Sequence, residues 1–66
     1  MNEKYLMGLE HVKRWEKVKR MFVRTNWTQK KLAIESGVSE FKISNLLSKK
    51  QFTEETISKV ERKLNL

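Results

Sequence analysis

Residues 28–48 read TQKKLAIESGVSEFKISNLLS, and the spacing of their apolar and small residues predicts two helices folded against each other. Leu32 and Ala33 lie one helical turn before Gly37, Val38 follows the glycine, and Ile43 and Leu46 recur beyond it at helical intervals. Ala33, Gly37 and Val38 therefore mark a tight turn between helices. A pair of this kind presents its second helix outward. With 15 Lys and Arg against 8 acidic residues, the simplest task for that helix is reading the major groove of DNA.

Working outward, the chain is punctuated by its caps. Three times an apolar residue precedes a Ser or Thr that is followed four residues later by another apolar residue: Trp27-Thr28-Leu32, Val38-Ser39-Ile43 and Phe52-Thr53-Ile57. Each combines an N-cap hydroxyl, which satisfies an orphan backbone N–H, with a hydrophobic staple that sets the entry angle. None is a full capping box, because Lys31, Lys42 and Thr56 stand where Glu or Gln would close it. Glu54 and Glu55 favour the last of the three starts through the helix dipole.

Upstream, Leu9, Val12, Trp15, Val18, Met21 and Phe22 keep three- and four-residue spacing and predict a first helix over about residues 8–25, ending near Asn26. For the first seven residues, MNEKYLM, three arrangements stay open: a backward extension of the first helix, an arm, or a frayed end. The expectation is all-α: a compact four-helix domain over residues 1–66, its helix-turn-helix core at about 28–48, with an N-terminal extension of the first helix or an arm at 1–7.

Composition agrees. The 66 residues allow one domain, which buries only about 60% of the surface its unfolded chain exposes, so the core must be well patterned. Proline is absent and glycine occurs twice, which favours helices. Without cysteine there is neither a disulfide nor a thiolate metal site, so stability must come from packing, with dimerisation as a further source. One His, no Cys and no Asp leave no metal constellation within a protomer. Eight scattered glutamates with no Ser-His or Cys-His arrangement, and no Gly-rich phosphate loop, argue against an enzyme, a cofactor and a small-molecule substrate. Apolar runs are too short for a membrane span or signal-peptide core, so a cytoplasmic protein is expected, nucleoid-associated when on DNA. The net charge of +7 calls for an anionic partner, nucleic acid ahead of membrane.

From Val18 to Leu64 the chain resembles the lambda repressor and Cro type helix-turn-helix family, also called the XRE family. The carrying residues are Trp27-Thr28-Gln29, Leu32-Ala33, Gly37-Val38-Ser39, Ile43 and Leu46, then Thr56-Ile57, Val60 and Leu64. The resemblance implies that the helix beginning near Gln29 lies across the phosphate backbone and the one beginning at Ser39 enters the major groove. It places Gln29 and Thr28 at a phosphate on a helix N-terminus. Glu40, Phe41 and Asn45 face base edges, flanked by Ser39, Ser44 and Lys42, with Lys42, Lys49 and Lys50 toward phosphates. Asn45 suits adenine, Phe41 a thymine methyl and Glu40 the cytosine amino group. The carboxylate of Glu40 equally argues against DNA, since it is costly near phosphates.

Two departures stand out. The family often pairs a buried Arg with a Glu where this chain has Phe22 and Leu47, an exchange of an ion pair for apolar packing. Its fifth helix, often a dimer interface, has no counterpart before Leu66. Dimer surfaces would then be Tyr5, Leu6 and Leu9, or Leu64 and Leu66.

Several residues have plainer readings. Trp15 and Trp27 sit in apolar register and read as packing residues. His11 reads as a solvent-facing helix residue, and Lys13, Arg14, Lys17, Arg20 and Arg24 as a solvated face or a phosphate track. The resemblance implies a sequence-specific double-stranded DNA-binding transcriptional regulator, a repressor of the phage or plasmid kind, admitting a homodimer on DNA. Two alternatives keep the fold: a recombination accessory protein of the excisionase kind, and a protein-binding antirepressor or inhibitor that would use Glu40 and Phe41.

Overall fold

All three Ser/Thr caps close as the sequence predicts. In the computed structural model, which describes residues 5–6 and 8–66, the helices are α1 (Leu9–Thr25), α2 (Gln29–Ser36), α3 (Glu40–Lys49) and α4 (Glu54–Lys63), with no strand among the described residues. Thr28 Oγ1 accepts the Lys31 N–H at 3.1 Å, Ser39 Oγ that of Lys42 at 3.2 Å, and Thr53 Oγ1 that of Thr56 at 3.3 Å. The stops are equally local. Asn26 (φ 59°), Gly37 (φ 71°) and Lys50 (φ 55°) each turn left-handed and end α1, α2 and α3.

Gly8, at φ 122°, breaks the chain just before α1, in a conformation that side-chain-bearing residues rarely adopt. The described residues before it are not helical, which corrects the option of a backward-extended first helix. Instead the Leu6 N–H donates to the Phe52 carbonyl at 2.8 Å and the Leu6 side chain packs on the core. Residues 1–4 and 7, the rest of the expected arm, lie outside the described residues.

The core gathers one stripe from each helix. Val18 of α1, Leu32 of α2, Ile43 and Leu46 of α3, and Ile57 and Val60 of α4 have no exposed surface; Ala33, Leu47, Phe52 and Leu64 complete the buried set. Trp15, Met21, Phe22, Trp27 and Val38 pack against it. Leu47 is buried and Phe22 lies against the same core, so both are packing residues. The Cα radius of gyration is 10.8 Å, and a compact chain of this length is expected near 11 Å. Leu64 is 4% exposed, so it belongs to the protomer's own core and offers no dimer surface. Leu9 is 80% exposed: α1 starts to pack only from the following turn.

Two long side chains fasten α1. The Trp15 indole N–H donates to the Leu46 carbonyl at 2.7 Å. That carbonyl needs a donor, because the Lys50 and Gln51 N–H groups both turn back to the Asn45 carbonyl where α3 ends. Arg14 is held by α4: its guanidinium bonds both Glu54 oxygens, at 2.7 and 2.9 Å, and both Glu61 oxygens, at 2.8 and 3.0 Å. It is thus a tie between helices, and it leaves the set of basic residues open to phosphate.

These bonds hold the Arg14 guanidinium further toward its charged form than usual. The Glu54 carboxyl falls from 4.5 to about 2, mainly through Arg14 and then through the Ser58 hydroxyl, which donates at 2.6 Å. A carboxyl lowered by folding contributes stability that is complete above its unfolded pKa and lost as pH falls through the folded one. The melting temperature should therefore decline between about pH 4.5 and 2. In Glu54→Gln that acid limb should flatten, as thermal melts across this range would show.

Candidate functional site

Once Ile43, Leu46 and Leu47 point inward, the 3.6-residue period decides what α3 shows to solvent. Phe41, Ser44, Asn45 and Ser48 form the outward row, with Lys49 beside it at the C-terminal end. Phe41 is 73% exposed; Ser48 and Lys49 are exposed, and Ser44 and Asn45 half-buried. The row carries one aromatic ring, one carboxamide and two hydroxyls, a set able to meet both apolar and hydrogen-bonding groups of a partner. Ser48 was not among the candidates read from the sequence. Its spacing of four from Ser44 and seven from Phe41 was the signal that could have found it.

The other sequence-derived candidates divide by position. Glu40 is exposed in the first turn of α3, at the margin of the row, where a carboxylate is favoured by the helix dipole. A structural role thus suffices for it. Ser39 and Thr28 spend a lone pair on their caps, leaving each hydroxyl proton to donate elsewhere. Gln29 opens α2 and is half-buried. Lys42 is half-buried and borders clefts on both sides of the α3 N-terminus, one shared with Asn45 and one with Glu55 and Lys59.

Lys49 and Lys50, which the resemblance turns toward phosphates, stand at the C-terminal end of α3. Lys49 is the last residue of the helix, and Lys50 is its left-handed cap. The Lys50 ammonium lies 4.9 Å from the centroid of the Trp15 ring, which also carries Lys19 at 4.9 Å. The structure thus draws Lys50 toward α1, while Lys49 stays at the end of the row. Trp27 similarly holds Lys31, at 5.4 Å. Both tryptophans pack and carry cations, and neither stands open as a stacking platform.

Charge is distributed unevenly. Arg14 is engaged by Glu54 and Glu61, Lys63 by Glu35 at 3.1 Å, and Lys59 lies 3.9 Å from Glu55. These carboxylates lie on α2 and α4, whereas α3 has Glu40 as its one acidic residue beside Lys42 and Lys49. At the N-terminal end of the row Phe41 and Tyr5 line a cleft of about 100 Å³, together with Asn45 and Lys42.

Among the described residues, no group of three His, Cys, Asp or Glu side chains gathers to hold a metal ion, and no helix is long and apolar enough to cross a membrane. Comparison with family models, with curated proteins and with solved structures finds no match to this chain, so its functional reading rests on its own residues and geometry.

Proposed function

We propose that this chain is a sequence-specific double-stranded DNA-binding regulator, a repressor built like the lambda repressor and Cro type helix-turn-helix proteins. Here α2 lies along the phosphates and α3 sits in the major groove. The observation that carries the reading is the outward row of α3, Phe41, Ser44, Asn45 and Ser48, presented by a helix locked into the core in a chain of net charge +7. Asn45 can bond adenine N6 and N7 together, and Phe41 offers apolar contact. The N-terminus of α2, with Gln29 and the capping Thr28, suits a phosphate oxygen, as does Lys49 at the end of the row.

Selection of bound duplexes from a random DNA pool at moderate salt tests this reading. The expected result is an enriched motif, an inverted repeat with half-sites about 34 to 36 Å apart if two protomers bind together. Salt-sensitive bulk binding without enrichment would overturn sequence reading. One observation favours a second reading, in which the same face docks on a protein: an aromatic ring as exposed as Phe41 is also what a protein groove would take. Absence of any DNA binding would move the proposal there.

A further inference from the structure

Tyr5 and Leu6, the described residues ahead of Gly8, lie against the candidate reading face. The Leu6 N–H bond to Phe52 O, at 2.8 Å, and the packing of Leu6 on the core fix the backbone there. Successive side chains of a non-helical segment point in different directions, and Tyr5, 50% exposed, lines the cleft that Phe41 lines from α3. Phe52 and Thr56, each 4% exposed, line it more deeply. Three aromatic residues, Tyr5, Phe41 and the buried Phe52, thus line one slot together with Asn45.

The slot's size limits what it can take. Sites for free small molecules run from about 300 to 1,000 Å³. At about 100 Å³ this cleft fits a protruding group of a larger partner. Among base edges in the major groove, donors and acceptors are many, but the C5 methyl of thymine is the one apolar protrusion. An aromatic-walled slot next to a carboxamide matches that group and its hydrogen-bonding surroundings.

We propose that Tyr5 and Phe41 form a methyl-reading slot for a thymine near the base pair contacted by Asn45, which makes Tyr5 a specificity-determining residue. The inference rests on the DNA-binding reading above and adds to it a residue outside the helix-turn-helix pair. The Leu6–Phe52 bond is then the element that positions Tyr5.

The test replaces each thymine of the wild-type protein's selected duplex in turn with deoxyuridine, which removes the methyl alone. Burial of one such group is worth about a fourfold change in affinity, and that loss is expected at one thymine per half-site. In Tyr5→Ala and in Phe41→Ala the same thymine should become insensitive to the exchange. Phe41→Ala leaves the buried core untouched, and unchanged far-UV circular dichroism confirms folding of both variants. A selected motif with no methyl-sensitive thymine overturns the slot and leaves DNA reading standing, as does a loss that persists undiminished in both variants. A wild-type chain that enriches no motif overturns both.

Discussion

Leu46→Ala is expected to leave much of the protein unfolded at 25 °C. Leu46 has no exposed surface, and it sits where α3 meets the rest of the core. Truncating a buried leucine costs about 2 to 5 kcal/mol, the spread reflecting how far the cavity collapses. A single core of this size rarely supplies more than about 3 to 5 kcal/mol in total. The loss and the reserve are therefore comparable, and no disulfide exists to limit the unfolded chain. Urea unfolding followed by circular dichroism would read the change directly. Ser48→Ala, on the opposite side of α3, should shift stability by no more than about 0.5 kcal/mol. A Leu46→Ala protein that unfolds like the wild type would mean that α3 is not seated as described.

The second large effect concerns binding. Asn45→Ala should weaken the selected site by about 1 to 3 kcal/mol, roughly five- to 150-fold, and leave affinity for scrambled duplex nearly unchanged. The substitution spares the fold, since alanine is a good helix residue and the Asn45 contribution to the end of α3 comes from its backbone carbonyl. Lys49→Ala should behave differently: both duplexes weaken together, and the slope of log affinity against log salt falls by about 0.9 for one lost phosphate contact. Competition titrations of the two variants at several salt concentrations separate base reading from charge. Equal losses for Asn45→Ala on both duplexes would remove it from the reading row.

Most of the helical framework was legible because its signals are local. A hydroxyl at Thr28, Ser39 or Thr53 needs only the N–H three residues on, and Asn26 and Gly37 stop helices through their own backbone preference. The inward residues of α3 followed from period alone, and with them the outward face that carries Phe41 and Asn45. Ser48 belongs to the same period, one turn beyond Ser44.

What escaped the sequence depends on partners distant along the chain. Arg14 looked like its basic neighbours on α1, and only the approach of α4 gives it Glu54 and Glu61, 40 and 47 residues away. Leu64, at the chain's far end, looked available as a surface until α4 turned it inward. Lys50 was read as a phosphate ligand by its place after α3. Its left-handed backbone and the ring of Trp15, 35 positions earlier, set where its ammonium rests. Tyr5 is the clearest case. Its nearness to Phe41 is set by one backbone bond, from Leu6 to Phe52, that no periodicity encodes.

Amide chemical-shift mapping by NMR, with the selected duplex titrated into isotope-labelled protein, tests most directly whether α3 is the reading helix. The predicted result is perturbation concentrated in residues 28–31 at the start of α2 and 40–49 of α3, with a scrambled duplex moving mainly the lysine-bearing positions. Shifts centred on Lys13, Lys17, Arg20 and Arg24 of α1, with α3 unmoved, would contradict it.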